Sequence, residues 1–308
     1  MARTFCNRCP GGRRLADVRI SLKKGWDERM KTLGYYNGRF DELERMQIPM
    51  NDRVCYFGDG VYDAGPCHAY HIFALDEHVE RFFKNAAALR IQMPCTKEEL
   101  KDLLKDLVKK LDTGDQFVYY QVTRGTGIRN HEFTDGPGNL WVMLKPAPVP
   151  SLKEKIRLIT VEDTRFFHCN IKTLNLIPNV MASQKAKEAG CQEAVFHRGD
   201  RVTECAHSNC HILKGGHLIT APTDNLILPG IARAHLIRIC EQLKIPVEER
   251  PFTVAEMMDS DEVLVSSSSK FCLSASEIDG VPVGGKAPVL LDQIQSALEE
   301  EFLKETEQ

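Results

Sequence analysis

The sequence predicts an α+β protein built from two domains. Its 308 residues are roughly two domains' worth of chain, since a domain averages about 100 to 200 residues. Helical and strand-like segments mix in the first half, whereas tight-turn sequences at 198–201, 215–216 and 279–280 make the second half rich in hairpins. Because hairpins join antiparallel strands, an α+β fold is favoured over a doubly wound parallel sheet.

Two helices are predicted in the first half. Leucines recur at helical spacing over residues 96–111, where Thr96 and Glu99 form a capping box and Gly114 follows as a stop signal. A second helix begins near Asp76, with apolar residues on one face. Strands are predicted at 53–57, 68–74, 117–123 and 140–144.

A proline-rich segment at 145–150 marks the predicted domain boundary, because three prolines in six residues favour an extended connector. The predicted division is an N-terminal extension at 1–32, an N-terminal domain at 33–145, a linker at 146–154 and a C-terminal domain at 155–308. In the second half we expect strands at 156–160 and 262–266, a helix at 178–189 ended by Gly190, and a helix after Pro229 and Gly230.

The amino-acid composition argues against several classes of protein, including nucleic-acid-binding and membrane proteins. Lys and Arg number 40 against 43 Asp and Glu, for a net charge of −3, so nucleic acid is not an expected partner. No apolar run reaches the roughly 18 to 20 residues of a membrane span, and the first residues lack a signal-peptide core. Eleven scattered cysteines are typical of free thiols in a reducing compartment. We therefore expect a cytoplasmic protein that binds no membrane.

The residues of three short motifs do not by themselves establish a binding function. The Gly58-Asp-Gly60 sequence is a tight turn rather than a nucleotide fingerprint. Gly230 leads directly into a helix whose first amides could bind an anion. The run from Ser266 to Ser269 could complete a phosphate cup or form a polar turn.

A metal site is the weaker alternative for the cysteines and histidines. Zinc takes Cys and His in tetrahedral sets, but these residues have irregular spacing and lack a pair of Cys-x-x-Cys modules, so no metal is expected. The residues concerned are Cys6, Cys9, Cys205, His207, Cys210 and His211.

A series of segments spanning residues 34 to about 285 carries a family resemblance through its order and spacing. These segments are Tyr36-Asn-Gly-Arg-Phe40, Phe57-Gly-Asp-Gly-Val-Tyr62, His78-Val-Glu-Arg81, Thr123-Arg-Gly-Thr-Gly-Ile-Arg129-Asn-His131, Asn170-Ile-Lys172-Thr-Leu-Asn-Leu-Ile-Pro-Asn179, Val202-Thr-Glu204, Ser208-Asn209, Leu228-Pro-Gly-Ile-Ala232 and the Ser266 to Ser269 run. The chain resembles the class IV, or fold-type IV, pyridoxal-phosphate aminotransferases, and most of all the D-amino-acid aminotransferases. The resemblance implies a smaller N-terminal α/β domain, a larger β-rich C-terminal domain and a cofactor between them.

The resemblance also implies the catalytic pair. Lys172 matches the lysine that forms a Schiff base with pyridoxal 5'-phosphate and then moves the substrate proton, tasks that suit an amine. Glu204 matches the carboxylate beside the pyridine nitrogen, which keeps that nitrogen protonated.

The implied cofactor-binding set is larger. Arg81 would bind the phosphate, although the helix pattern by itself predicts that Arg81 faces solvent. Ala232 stands where the family often has threonine, which removes one phosphate hydroxyl. The remaining implied cofactor contacts are Asn209, Leu228, Ile231, Ser267 and Ser268.

Tyr62, Arg129 and His131 match the group that traps the substrate α-carboxylate in D-amino-acid aminotransferases. In that group the arginine and histidine come from the neighbouring subunit, so the resemblance implies a homodimer. A guanidinium suits the task because it grips a carboxylate with two parallel hydrogen bonds. His207 replaces a small serine-like residue near the substrate, and the Cys6 and Cys9 extension has no counterpart in the family.

The sequence thus predicts a transaminase that moves an amino group from a D-amino acid such as D-alanine or D-glutamate to a 2-oxo acid such as 2-oxoglutarate. The alternatives within this fold are branched-chain L-amino-acid transamination and aminodeoxychorismate lysis. The alternative from another class is a cysteine-rich metal-binding protein without activity.

Overall fold

The structure is a computed structural model that describes residues 32–149 and 151–307. These residues form a six-stranded and a nine-stranded sheet, with helices packed on both. The predicted α+β class is confirmed, because the first sheet is wholly antiparallel and the second mixes antiparallel and parallel pairs.

The first sheet has the strand order β2-β1-β6-β5-β3-β4. Its strands are β1 (Leu33–Tyr36), β2 (Arg39–Asp41), β3 (Gly60–His68), β4 (His71–Ile72), β5 (Gln116–Thr123) and β6 (Asn139–Pro146). The helices of this half are a 3-10 turn (Leu43–Arg45), α1 (Arg53–Phe57), α2 (Leu75–Ala88) and α3 (Lys97–Leu111).

One face of this sheet packs against α2 and α3. Strand side chains alternate between faces, so β3 directs Val61 and Asp63 towards the helices, and both are fully buried. The opposite face carries aromatic residues, where the rings of Tyr62 and Tyr119 stack with centroids 5.4 Å apart. The inner face thus buries apolar side chains together with Asp63, whereas the outer face is aromatic.

The second sheet has the order β12-β11-β10-β13-β14-β7-β8-β9, with β15 beside β14. Its strands are β7 (Lys155–Glu162), β8 (Glu193–Arg198), β9 (Arg201–Cys205), β10 (Asn209–Lys214), β11 (His217–Thr220), β12 (Val247–Glu249), β13 (Glu262–Ser267), β14 (Phe271–Ile278) and β15 (Val281–Pro282). The helices are α4 (Ile177–Glu188), α5 (Ile231–Gln242), α6 (Val254–Asp259) and α7 (Pro288–Thr306).

Strong local signals gave correct predictions. Helix α3 has the predicted capping box between Thr96 and Glu99, α4 is followed by Gly190 at positive φ, and α5 begins directly after Gly230. The predicted hairpin turns join β8 to β9, β10 to β11 and β14 to β15. Of the six strand predictions, those at 117–123, 140–144, 156–160 and 262–266 are confirmed.

Two strand predictions were wrong. Residues 53–57 form α1, because the Asp52 side chain accepts a hydrogen bond from the Val54 amide and Gly58 ends the helix in the left-handed region. Residues 68–74 turn sharply instead of extending, with Ala69 and Tyr70 at positive φ between β3 and β4. Both segments are governed by turn-forming backbone, which their apolar composition does not reveal.

Two helix ends also differ from the predictions. Helix α2 begins at Leu75 with Ala74 at the N-cap position, so Asp76 lies in the first turn rather than capping the helix. Helix α3 ends at Asp112 in the left-handed conformation, before Gly114 is reached. No sequence pattern predicted α7.

The predicted domain boundary stays a prediction. Strand β6 extends through Pro146, which falls within the predicted linker. The first core contains residues from Leu33 to Leu144, but Phe73 of the first half packs in the core of the second. The predicted extension at 1–32 lies outside the described residues, apart from Thr32.

Helix α7 joins the two halves. The Glu305 carboxylate accepts a hydrogen bond from the Ala74 amide at 2.7 Å, and the Thr306 carbonyl lies 3.0 Å from His71 Nδ1. Phe302 packs its ring against Phe73 at 5.3 Å between centroids. Within the described part of the chain, no helix combines the length and apolarity that a membrane crossing requires.

Candidate active site

A cavity of about 510 Å³ lies where the two halves meet. This volume falls in the range of small-molecule sites. The cavity brings together residues predicted from distant parts of the sequence: Tyr62, Arg81, Lys172, Glu204, Asn209, Leu228, Ile231, Ala232, Ser267 and Ser268.

Lys172 lies in the connection between β7 and α4. Its carbonyl accepts a hydrogen bond from the Tyr62 amide at 3.0 Å, and its neighbour Thr173 forms a bridge with Val61. These backbone contacts attach the segment to β3 and leave Lys172 Nζ 4.3 Å from the centre of the Tyr62 ring. A primary amine is therefore held against an aromatic wall of the cavity.

Glu204 lies on β9 and is buried. One carboxylate oxygen pairs with the Arg165 guanidinium, and the other accepts hydrogen bonds from Asn209 Nδ2 and the Leu228 amide, each at 3.0 Å. Burial raises the pKa of Glu204 from 4.5 to about 7, against the opposing effects of Arg165 and the Leu228 amide. An added cation in the cavity would therefore favour its ionised form.

The N-terminus of α5 faces the same cavity. The Gly230 carbonyl accepts the first helical hydrogen bond, from Ala234, and the amides of Ile231 and Ala232 have no acceptor within the helix because they lie in its first turn. A Cβ at Gly230 would lie 2.1 Å from Asn209 Oδ1, so this position requires glycine. Free amides and the positive end of the helix dipole favour an anion here.

Arg81 is buried beside the start of α5. It donates two hydrogen bonds to Asp63, at 2.9 and 2.8 Å, and one to the Pro229 carbonyl at 3.2 Å. His78 Nδ1 lies 2.7 Å from the same carboxylate, and the pKa of Asp63 is held far below its usual range although burial alone would raise it. The solvent-facing position predicted from the helix pattern is wrong, because Asp63 compensates the buried guanidinium.

The serine run ends β13 at the edge of the cavity. Ser267 and Ser268 line the cavity, and Ser266 Oγ lies 2.8 Å from His211 Nε2, whose Nδ1 lies 2.8 Å from Thr220 Oγ1. Burial lowers the pKa of His211 to about 3. The imidazole is therefore neutral and links two hydroxyls below the cavity wall.

Arg129 and His131 are not brought to the cavity. The Arg129 guanidinium lies over the Phe57 ring at 5.1 Å, and the His131 ring lies 5.2 Å from the same ring. Among the described residues that line the cavity, none comes from the loop 124–138. Within one chain this loop is separate from Lys172.

The candidate metal ligands that lie among the described residues do not form a metal-binding cluster. Among residues 32–149 and 151–307 there is no group of three or more His, Cys, Asp and Glu side chains placed to hold a metal ion. Cys205 and Cys210 are buried free thiols, and both nitrogens of His211 contact hydroxyls. Cys6 and Cys9 lie outside the described residues.

Lys172, Glu204 and the N-terminus of α5 line one cavity. The resemblance to class IV aminotransferases implies this arrangement, and the same family is found by sequence comparison. Residues 60–278 match the sequence profile of the family described as Amino-transferase class IV. The chain belongs to this family.

Similar proteins cover most of this class IV aminotransferase. The D-alanine aminotransferase of Bacillus licheniformis is 36% identical over 281 residues, which is 90% of this chain and 99% of that protein. The D-alanine aminotransferase of Listeria monocytogenes is 38% identical over 272 residues, which is 86% of this chain and 94% of that protein.

Solved structures of branched-chain amino acid aminotransferases share the fold. The T.th. enzyme complexed with N-(5'-phosphopyridoxyl)-L-glutamate superposes with a TM-score of 0.80 at 24% identity, covering 88% of this chain and 94% of that one. The Escherichia coli enzyme has a TM-score of 0.81 at 21% identity, covering 90% of this chain and 96% of that one. At these identities the likeness establishes the fold-type IV architecture.

Sequence reasoning missed several residues around the site of this aminotransferase. Asp63 holds Arg81, and Arg165 holds Glu204 while pairing with Asp163 at 2.8 Å. The one available signal for Asp63 was a carboxylate at an inward-facing strand position. A carboxylate at such a position is buried, so a buried cation must accompany it.

Proposed function

We propose that this chain is a pyridoxal-phosphate-dependent aminotransferase that moves the amino group of a D-amino acid, of the D-alanine or D-glutamate type, to a 2-oxo acid such as 2-oxoglutarate. The convergence of Lys172, Glu204 and the α5 N-terminus in one cavity carries the transamination chemistry. The relatives named D-alanine aminotransferases, at 36 and 38% identity over 90 and 86% of this chain, support the D-amino-acid substrate.

The cavity's donor set fits the cofactor. The free amides of Ile231 and Ala232, the Arg81 guanidinium and the hydroxyls of Ser267 and Ser268 would hold the phosphate, since the amides lie at a helix N-terminus beside a buried cation. A Cβ at Gly230 would lie 2.1 Å from Asn209 Oδ1, so glycine is required where the chain enters α5 at this end of the cavity. Leu228 would pack against the ring, and Glu204 would face its nitrogen.

The residues divide the chemistry between proton transfer and charge stabilisation. Pyridoxal phosphate, when bound, supplies an electron-withdrawing ring that stabilises negative charge at the substrate Cα. Lys172 Nζ is the amine that would hold the cofactor covalently, and it would serve as the base that takes the proton from the substrate Cα. The buried Glu204 carboxylate would face the ring nitrogen and favour its protonated form, because a cation there would compensate the desolvation of the carboxylate.

A homodimer completes this proposal. Apolar side chains are exposed on the loop 124–138, where Ile128 is 91% accessible, and near the cavity, where Ile177 is 74% accessible. Exposed apolar side chains that lie close together mark association sites, and Ile177, Val180 and Met181 lie on one face of α4. A second copy would cover both regions and bring its Arg129 and His131 to the substrate carboxylate, opposite Tyr62.

A panel of D- and L-amino acids tests the substrate. Each is mixed with the cofactor-loaded protein, and conversion of the cofactor to its amine form is followed by absorbance. We expect D-alanine and D-glutamate to react far faster than their L-enantiomers. If L-leucine or L-isoleucine outpaces every D-amino acid, the chain is a branched-chain aminotransferase. If aminodeoxychorismate releases pyruvate with no amino acceptor present, the chain is a lyase.

A hybrid dimer tests whether Arg129 acts across the interface. Lys172→Ala and Arg129→Ala chains carrying different affinity tags are co-expressed, and the mixed dimer is purified through both tags. If Arg129 serves the neighbouring subunit, the mixed dimer contains one intact site, and at D-alanine concentrations well below KM its activity exceeds that of either parent. If Arg129 serves its own subunit, no site is intact, and the mixed dimer, which has one Lys172 instead of two, shows about half the activity of Arg129→Ala.

A further inference from the structure

The cavity extends beyond Lys172 along α4. Asn179, Ser183 and Lys187 line it at intervals of four residues, and they therefore lie on one face of this helix. The Asn179 side chain donates a hydrogen bond to the Ala206 carbonyl at 2.6 Å, which joins α4 to the turn between β9 and β10. This part of the cavity, formed by the α4 face and that turn, is the distal lobe.

His207, in that turn, is the second wall of the distal lobe. Its Nδ1 lies 2.7 Å from a Glu193 oxygen, which also accepts a hydrogen bond from Ser208 Oγ at 3.0 Å. Glu193 is buried, whereas the His207 side chain is 46% accessible. An ionised carboxylate only accepts hydrogen bonds, so Nδ1 carries a hydrogen and Nε2 lies on the ring edge turned away from Glu193.

The charged side chains around the cavity favour binding of an anion in the distal lobe. Arg81 and Arg165 are already paired with buried carboxylates, and Lys172 is assigned to the reaction. His207 and Lys187 are the cationic or protonatable side chains of the distal lobe. The acidic side chain lining the cavity within residues 32–149 and 151–307 is Glu204, which lies at the cofactor-binding end.

We infer that the distal lobe is a subsite for the second carboxylate of acidic amino acids and their 2-oxo acids, with His207 as the specificity-determining residue and Lys187 as an auxiliary cation. The inference rests on the proposed function, since it concerns the side chain of the amino acid that reacts at Lys172. With Glu193 at Nδ1 and a bound carboxylate at Nε2, both nitrogens of the His207 ring would donate to carboxylate oxygens. Ser208 contacts the same Glu193 oxygen and so helps to fix this arrangement.

Binding of unreactive acids tests the subsite without turnover. Glutarate and butyrate are titrated calorimetrically into the cofactor-loaded protein; they differ by one distal carboxylate. Because hydrogen bonds to charged groups are worth more than neutral ones, we expect glutarate to bind about tenfold more tightly than butyrate. His207→Ala should remove this preference and leave butyrate affinity unchanged. Lys187→Ala should remove part of the preference.

Lys185→Ala is the matched control, because Lys185 is an exposed lysine on the same helix that does not line the cavity. It should bind both acids as the wild type does. His207→Gln, which keeps an N–H donor, should retain part of the glutarate preference. An equal loss of glutarate and butyrate affinity in His207→Ala, or unchanged affinity for both, overturns the inference.

Kinetics distinguish the inference from the function on which it rests. In His207→Ala, kcat/KM should fall about tenfold for D-glutamate and stay within about twofold of wild type for D-alanine. If the wild type converts D-amino acids but binds glutarate no better than butyrate, the subsite is refuted and the proposed function stands. If glutarate is preferred and no D-amino acid reacts, the proposed function is refuted instead.

Discussion

The two ends of the cavity are built differently. At the cofactor-binding end, Arg81 and Glu204 are buried, and each is paired within the chain, with Asp63 and Arg165 respectively. At the end proposed to bind the substrate side chain, His207 is partly accessible. Arg129, which is proposed to bind substrate but does not line the cavity of its own chain, lies on an exposed loop. A buried charge needs a fixed partner because desolvation is costly, whereas an exposed charge is solvated until a ligand arrives. The residues proposed to bind the cofactor are therefore held by partners within the chain, whereas those proposed to bind the substrate face solvent.

We expect the largest loss of activity from replacing Lys172, which lies between the two ends of the cavity. Lys172→Ala should lower the transamination rate by about 10⁴-fold or more, because it removes both the covalent attachment and the base. Single-turnover absorbance with D-alanine measures the rate, and the circular dichroism spectrum should match the wild type. Borohydride reduction of the wild type should attach the cofactor to the peptide that contains Lys172. Normal turnover of the variant would refute the assignment.

Asp63→Asn tests the buried pairing at the cofactor end. Removing one partner of a buried ion pair should lower the free energy of unfolding by about 3 to 5 kcal/mol, and the loosened Arg81 should also weaken cofactor binding. Denaturant unfolding and spectrophotometric cofactor titration are the measurements.

Asp292→Asn is the control for that experiment, because Asp292 forms an exposed ion pair with Lys153. Exposed pairs of this kind contribute little, so this variant should behave like the wild type in both assays. If Asp63→Asn is as stable as Asp292→Asn and binds cofactor equally well, Asp63 does not position Arg81.

Glu204→Gln should keep the cofactor bound and slow the chemistry about 100-fold, which is roughly 3 kcal/mol of barrier. Gln has the same shape but holds the ring nitrogen without a negative charge. The half-reaction rate at saturating D-alanine measures the effect. A rate within a few fold of the wild type would show that Glu204 does not face that nitrogen.

Glu204 also makes the free energy of unfolding of the cofactor-free protein depend on pH. The pKa of folded Glu204 is raised from 4.5 to about 7, so its ionisation on unfolding becomes favourable as pH rises through this interval. The wild type should lose about 3 kcal/mol of stability relative to Glu204→Gln between these pH values. Urea unfolding of both cofactor-free proteins across the interval measures it, and parallel pH profiles would contradict the expectation.

Arg129→Ala should have the smallest effect, and on the substrate end alone. We expect KM for D-alanine to rise about tenfold, with cofactor affinity unchanged, because a bidentate grip on the α-carboxylate is lost. The control Glu132→Gln alters charge on the same loop and should leave KM unchanged. A KM change below about twofold in Arg129→Ala would remove this residue from the substrate site.

Features encoded by adjacent residues could be predicted from the sequence, whereas features that depend on distant residues could not. The capping box of α3 and the glycine before α5 are encoded by adjacent residues, so both were predicted. Residues 53–57 were mistaken for a strand, since their apolar composition outweighed the Asp52 cap and the Gly58 stop.

At the site, the family motifs located the groups in the cavity but not the partners of those groups. Arg81 looks solvent-facing on a helical projection, and only the register of β3 places Asp63 beneath it. The pairing of Arg165 with Glu204 joins residues 39 positions apart. The contact between Glu193 and His207 depends on how β8 and β9 pair. Such compensation between distant segments has no local sequence signal.

During translation, the contacts between α7 and the first half can form only after most of the chain has been synthesised. Ala74 and Glu305 are separated by 231 residues, which a ribosome adds in roughly 12 to 46 s at about 5 to 20 residues per second. The ring partners of Phe73, at His235, Phe271 and Phe302, are all synthesised in that interval. Phe73 therefore lacks these contacts on the nascent chain, and a chaperone that binds apolar side chains has that time to reach it.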